Sequence, residues 1–409
     1  VALSLSMPEK IEIQETTIIA ETVYVSEPQP EFFLSDTRIY LTICLTGFAL
    51  YFKTLFFGFT YLDDNVLVLN SLPYLRDMGT LVSAFSHDVF FAMHGATAYF
   101  RPLLTISLMP EAMLTGASPF LYHFVDVGLH LASACLVYKL FTKLRYARAV
   151  SFLVAMLFVT HPVLTQAVSW IPGRNDLLLA VFALLSFIYF IDYTDARKGA
   201  PLAWSTIFFA LALLTKETVI VLPALCALYL WVRGALTKEL LSEWGFWWGA
   251  VILAWLPMRH LALSENPISM PLTVMAESVV QNIPAIIQLF GKIFFPVNLS
   301  VLPLLQDTTY RWGILALVLA GLVLVFQISR GTTPRKNYWM MAFGLAWFVL
   351  FLLPSFLRPD LSQPADFIEH RLYLPIIGFL IIFAESIFGR MFERAGKLQF
   401  AIWTMLIFV

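Results

Sequence analysis

The sequence predicts an all-α, polytopic integral membrane protein with about 11 transmembrane helices and a large helical first outer loop. Three observations carry that reading. Hydrophobic residues make up 59% of the 409-residue chain and charged residues 13%, with a mean hydropathy of +0.79. Soluble domains run at roughly 45–50% apolar and about 25% charged, so these charges are too few to cover a soluble enzyme. The apolar residues fall in runs divided by short basic turns. Aromatics reach 15%, with 37 Phe and 11 Trp, which suits a lipid-facing surface with interfacial anchors. The net charge of −1 gives no support to a nucleic-acid partner. Disorder is excluded by the hydrophobicity.

The elements follow in order. Residues 1–38 are polar and acidic, carry no signal peptide, and are expected as a cytoplasmic tail. Within them Ile11-Glu12-Ile13-Gln14 and Thr22-Val23-Tyr24-Val25 alternate with period two, which predicts short strands. Two lone strands are marginal by themselves, so pairing with a protein partner is expected. Residues 39–409 form the membrane domain. A crossing needs about 20 apolar residues for roughly 30 Å of hydrocarbon. Spans are expected at 39–57, 121–140, 149–160, 177–191, 202–214, 219–232, 244–258, 312–328, 338–356, 372–388 and 398–409. The chain begins at Val1 and stops inside an apolar run, so both ends are expected to continue.

Orientation follows the basic turns. Lys139, Lys143, Arg145 and Arg148 flank the first. Arg197 and Lys198, then Arg233 and Lys238, Arg330, Arg335 and Lys336, and Arg390, Arg394 and Lys397 mark the others. Placing all of them in the cytoplasm puts the N-terminus there too and residues 57–120 outside. A full crossing by 279–305 would move Arg330 to the outer side. With Pro284, Lys292, Pro296 and Pro303, that stretch is expected to be re-entrant or interfacial. The outer loop 57–120 is expected to hold amphipathic helices near 77–93 and 102–114. Cys44, Cys135 and Cys226 sit inside apolar runs and give neither a disulfide framework nor a metal spacing.

Polar groups at membrane depth are costly and mark function, and here they gather on the outer side. Asp63-Asp64 follows the first span. Adjacent carboxylates point apart, so one suits a general base and the other would hold a loop or a basic partner, a solvated turn being the plain alternative. Arg101-Pro102 opens a loop helix. His123, Asp126 and His130 share one helix face, where interhelical hydrogen bonding is expected over a metal. His161-Pro162 begins a turn ending in Arg174-Asn175-Asp176. Lys216-Glu217 lies in another outer turn. Glu369-His370-Arg371 precedes Tyr373 and Pro375, with Arg371 at the outer mouth, where an anionic headgroup or a phosphate is a reasonable partner and snorkelling to the interface an equally cheap alternative. Carboxylates Asp63 and Asp64 with Arg101, Arg174, Lys216 and Arg371 facing one compartment suit transfer from a phosphorylated lipid. No phosphate-binding glycine loop or zinc signature is present.

Five ordered stretches carry a resemblance. They are Tyr61-Leu62-Asp63-Asp64-Asn65; Phe100-Arg101-Pro102-Leu103 with Tyr122-His123-Phe124-Val125-Asp126 and His130; His161-Pro162-Val163-Leu164-Thr165-Gln166-Ala167-Val168 through Gly173-Arg174-Asn175-Asp176-Leu177-Leu178; Leu214-Thr215-Lys216-Glu217-Thr218; and Glu369-His370-Arg371-Leu372-Tyr373-Leu374-Pro375. The chain resembles the membrane domain of TMTC-type O-mannosyltransferases, transmembrane proteins with tetratricopeptide repeats in the GT-C superfamily. The resemblance implies an inverting glycosyltransferase that moves a mannose-like sugar from a polyprenyl- or dolichyl-phosphate donor to a protein Ser or Thr hydroxyl. It implies Asp63 or Asp64 as base, and Arg371 with Arg174, Lys216 or Arg101 at the donor phosphate. His161, Glu217, Glu369, His370 and Tyr373 would line the site, with no metal and no cofactor beyond the donor. The membrane would be a bacterial inner membrane or the endoplasmic reticulum, with the active site on the extracytoplasmic side. Three positions depart from the family's pattern: Gln166 where Glu is frequent, Asp126 where Asn is common, and His370 where a His is unusual. The competing expectation is a catalytically degenerate structural subunit that scaffolds a membrane complex. A lipid or ion transporter ranks below both, because charges do not line the middle of several spans.

Overall fold

The helices begin where the sequence supplies starts. Ser35 caps α1 (Asp36–Tyr51), its hydroxyl accepting from the Arg38 amide at 3.4 Å. Proline occupies the first helical position of α3 (Pro102–Thr115) and α4 (Pro119–Lys143), where its missing N–H costs nothing. The computed structural model describes residues 34–60, 63–91, 99–264, 271–300, 309–331, 333–357 and 369–408, all within one unit, Phe32–Val409. The strand-like stretches of the tail lie outside the described residues.

Between α1 and α3 the connecting loop runs through the short α2 (Leu72–Leu75). After α4 come α5 (Arg148–Thr160), the short α6 (Thr165–Ser169), α7 (Arg174–Ala196), α8 (Gly199–Thr215) and α9 (Leu222–Val232). Then follow α10 (Lys238–Ala262), α11 (Leu272–Phe294), α12 (Arg311–Ser329) and α13 (Arg335–Leu352). The last three are α14 (Ile376–Glu385), α15 (Ile387–Arg394) and α16 (Lys397–Phe408). No strand occurs among the described residues. Six described helical segments are long and apolar enough to cross a membrane, or up to seven if the bent α5–α6 pair counts as one. The chain is an all-α integral membrane protein.

Helix α7 sits at the centre. Burial within the protein covers 67% of its apolar stretch, against 17% for the peripheral α12. Around α7 the core is aromatic. Phe209 stacks on Trp248 at 4.3 Å, and Phe190 meets Trp244 edge-on at 5.5 Å.

Polar contacts define two ends of the bundle. At one end Arg148 pairs with Asp36 at 2.7 Å, and Asp195 takes Arg145 and Arg233 at 3.4 and 3.3 Å. Arg197 pairs with Glu243 there. Glu385 accepts from the Tyr146 hydroxyl at 2.7 Å and from the Asn337 amide at 2.5 Å. Helices α1, α4, α5, α7, α8, α9, α10, α12, α13 and α14 all lead from this basic end to the opposite one. Helix α11 does not share their path. Near its start Ser278 donates to the Phe356 carbonyl at 2.7 Å, and near its end Lys292 pairs with Glu369 at 2.5 Å. The carbonyl of Ile293 accepts from His161. All these partners lie at the end away from the basic turns, so both termini of α11 are there.

One expected helix is absent. Residues 77–91 form two short 3₁₀ turns, Met78–Thr80 and Val82–Phe85. Short polar side chains take the backbone instead. Asp77 caps the Gly79 amide at 2.8 Å, Thr80 donates to the Tyr74 and Asp77 carbonyls, Ser83 to Thr80, and Ser86 to Ser83.

Candidate functional site

At the end opposite the basic turns a cavity of about 640 Å³ opens. Its walls come from the loop after α1, the start of α3, the α6–α7 turn, the α8–α9 turn, α10, α11 and the segment before α14. The charged groups on them are Asp63, Arg101, Asp176, Lys216, Glu217, Arg259 and Arg371, with His370 and the aromatic Tyr99, Trp170 and Trp255 beside them.

Asp63 and Asp64 start a helical turn that widens into a π-turn over Asn65–Leu69. Such turns are frequent at functional sites. The two carboxylates part, as adjacent side chains must. Asp64 is buried and turns back on the loop, accepting from the Thr60 amide at 2.5 Å and the Thr60 hydroxyl at 2.8 Å. Asp63 lines the cavity. Burial pushes the Asp63 carboxyl above the usual carboxylate range, the Asp64 charge adds to that, and Arg101 opposes it. Burial raises Asp64 too, against the two Thr60 hydrogen bonds.

Two ion pairs stiffen the walls. Arg101 forms a fork with Glu217 at 2.9 and 3.4 Å and stands 4.4 Å over the Tyr99 ring. In the amide orientation that satisfies both its atoms, Asn175 accepts from Arg101 at 2.9 Å and donates to the Thr215 carbonyl at 3.1 Å. Lys216 donates to Asp176 Oδ1 at 2.7 Å. Burial lowers the Lys216 ammonium from its ordinary value, and Asp176 opposes the shift. His370 sits beside this pair, its Nε2 4.0 Å from Asp176 Oδ2 and its ring 5.5 Å from Trp170. The His370 amide donates to Gln166 Oε1 at 3.2 Å, which fixes the segment entering α14. Burial pushes His370 down to about 3, so the imidazole is neutral.

Several expected site residues stand elsewhere. Arg174 has no exposed surface and does not line the cavity. Its guanidinium donates to Asp126 at 2.6 Å, Glu111 at 2.5 Å, and the Ser107 and Tyr122 carbonyls at 2.8 and 2.9 Å. It ties α3, α4 and α7 together, which corrects its reading as a phosphate ligand. Tyr373 donates to His130 Nδ1 at 2.7 Å, while His130 Nε2 donates to the Val159 carbonyl. His161 joins α11 through Ile293, and Glu369 holds Lys292 and the Ser300 amide. These four residues brace the helices that carry the walls. The structure also adds residues that pattern alone did not single out: Tyr99, Trp255 and Arg259 on the walls, and Glu111 beneath them. Arg259 and Trp255 stand one helical turn apart on α10, the guanidinium 5.8 Å over the indole. That i, i+4 spacing of a cation and an aromatic was the available signal. Among the described residues no group of three or more His, Cys, Asp or Glu gathers with metal-ligand geometry.

Known proteins resemble parts of this chain in sequence. The protein O-mannosyl-transferase Tmtc2 of Drosophila melanogaster is 30% identical over 209 residues, covering 47% of this chain and 22% of that protein. TMTC1 of Mus musculus, also named a protein O-mannosyl-transferase, is 36% identical over 141 residues, covering 32% of the chain and 15% of the relative. Human TMTC2 is 30% identical over 199 residues, covering 45% of the chain and 23% of the relative. The matched stretches thus span less than a quarter of the length of these relatives. No protein-family model and no solved structure matches the chain. The chain resembles the TMTC-type O-mannosyltransferases.

Proposed function

We propose that this protein is an inverting glycosyltransferase with a GT-C-like fold. It moves a mannose-like sugar from a polyprenyl- or dolichyl-phosphate donor to a hydroxyl, of the kind carried by protein Ser or Thr. The observation that carries the reading is the cavity itself, where Asp63 shares walls with Arg101, Lys216, Arg259 and Arg371. Asp63 removes the acceptor hydroxyl proton. The oxygen attacks the anomeric carbon from the face opposite the phosphate, the bond from that carbon to the phosphate oxygen breaks, and configuration inverts. Polyprenyl monophosphate leaves with the electron pair, and its charge is held by Arg371 and Arg259. Arg101 and Lys216 keep their carboxylate partners and shape the wall. Asp64 anchors the loop that presents Asp63. The relatives are named as protein O-mannosyl-transferases, which favours an enzyme over a scaffolding subunit.

The test is sugar transfer by Asp63→Asn and Asp64→Asn variants. Asp63→Asn is expected to lower transfer about 100- to 10,000-fold, the worth of a positioned base, while binding of the polyprenyl phosphate persists. Asp64→Asn keeps an oxygen for Thr60 and retains far more activity. The carboxylate must be ionised to act, and burial raises its pKa. Transfer is therefore lost as pH falls through a value above the ordinary carboxylate range, and Asp63→Asn abolishes that dependence. Wild-type transfer by Asp63→Asn overturns the assignment.

A further inference from the structure

Asp176 and His370 have a geometry that the transfer chemistry does not use. Asp176 Oδ1 is held by Lys216 at 2.7 Å, which leaves Oδ2 directed at His370 Nε2, 4.0 Å away. That gap is too long for a hydrogen bond and suits one oxygen bonded to both atoms, at about 2.8 Å from each. A neutral imidazole facing a carboxylate carries its proton on Nε2. The pair therefore offers one donor and one acceptor, converging on one point of the cavity wall. His370 Nδ1 is buried and has no hydrogen-bond partner among the described residues, so the ring's polar chemistry is concentrated at Nε2. Trp170, packed beside His370 and on the same wall, adds an aromatic surface.

A phosphate oxygen placed between Nε2 and Oδ2 would meet the Asp176 carboxylate oxygen with no proton to give it, even though Lys216, Arg101 and Arg371 stand near this corner. A hydroxyl does fit, since it accepts from Nε2–H while donating to Oδ2. We infer that Asp176 and His370 form a subsite for one hydroxyl of the donor sugar, with Trp170 beside the ring. This rests on the glycosyltransferase reading and adds to it a residue pair that selects a sugar-bearing lipid over the bare lipid phosphate. Both are positioning residues: they hold the ring and take no part in bond making.

The experiment measures binding to the purified full chain in lipid nanodiscs. The probes are short-chain polyprenyl-phosphate mannose, polyprenyl-phosphate glucose and the same polyprenyl phosphate without sugar. The wild type is expected to bind at least one sugar-bearing lipid about tenfold more tightly than the bare phosphate, a factor that corresponds to about 1.4 kcal/mol. His370→Phe is expected to bind all three alike, with an unchanged melting temperature. His370→Gln, which keeps an N–H donor, recovers part of the preference. Asp63→Asn keeps the full preference while losing transfer, so failure of the subsite and failure of the reaction are told apart. A wild type with no preference, or a His370→Phe variant that keeps it, overturns the inference.

Discussion

A guanidinium without exposed surface must be neutralised where it stands, and Arg174 shows how. Glu111 and Asp126 face it from α3 and α4, and two backbone carbonyls take its remaining donors. Removing one partner of such a buried group leaves charges with nothing opposite them, at a cost of about 3–5 kcal/mol. Arg174→Met is therefore expected to lower the melting temperature and the yield of folded protein in detergent. Arg174→Lys does not restore them, because one ammonium cannot copy a planar fork that reaches four partners. Arg371→Ala should weaken binding of polyprenyl phosphate. Equal melting temperatures for wild type and Arg174→Met would show that the triad is not a structural node. The contrast also measures what the sequence could tell. Asp63 and Asp64 were legible because polar residues directly after an apolar run stand out. Arg174 was misread because its carboxylates lie 48 and 63 residues away in the chain, and no local spacing joins them. Glu111 left one trace, a charge following Pro110 inside an apolar helix.

At the scale of elements, close approach decides more than apolarity. Helices α13 and α14 meet through Gly344 and Gly378. A Cβ at Gly378 would come 2.2 Å from the Gly344 carbonyl oxygen, and one at Gly344 would come 2.5 Å from the Gly378 carbonyl oxygen. Small residues at such a crossing let the backbones pack and gain van der Waals contact, since lipid tails leave no hydrophobic drive between helices. Trp347 reinforces the pair by donating to the Leu374 carbonyl at 3.0 Å. Gly378→Ala is expected to cost about 1–3 kcal/mol through overpacking. The double variant with Gly344→Ala should cost less than the two single effects added, because both break one contact. Thermal melting of the three variants checks this, and full additivity would mean that the glycines act separately. Because α14 follows directly on His370 and Arg371, Gly378→Ala also lowers transfer. Most helix positions were readable from apolar runs. The 77–93 stretch was not, because side-chain bonds from Asp77, Thr80, Ser83 and Ser86 outcompete the helix that its apolar spacing suggests.

For the whole molecule the deciding segment is α11. By length and composition it qualifies as a crossing, at 23 residues. Its contacts place both termini at the cavity end, beside Phe356 and beside His161 and Glu369. Helix α12 then leads back towards Glu385, since Gln327 near its end donates to the Glu385 carbonyl at 3.3 Å. By length and composition six described segments, α11 among them, or seven with the bent α5–α6 pair, can cross a membrane; an α11 that stays at the cavity end is the arrangement the basic turns call for. Arg145, Arg197, Arg233 and Lys336 then share the cytoplasmic side. With α11 as a crossing, Arg335 and Lys336 would be placed on the side opposite the basic turn at Arg145, while Asn337 bonds the same Glu385 as Tyr146, the neighbour of Arg145. Single cysteines introduced at exposed positions decide between these arrangements. Ser118→Cys, Glu277→Cys and Asn298→Cys are expected to react with a membrane-impermeant maleimide from the cavity side. Lys198→Cys and Arg330→Cys react only from the opposite side. The native cysteines, half-buried or buried within helices, set the background in the parent protein. Labelling of Glu277→Cys and Asn298→Cys from opposite sides would make α11 a crossing. It would also separate the carboxyl-terminal helices from the orientation that their basic turns and the Glu385 contacts require.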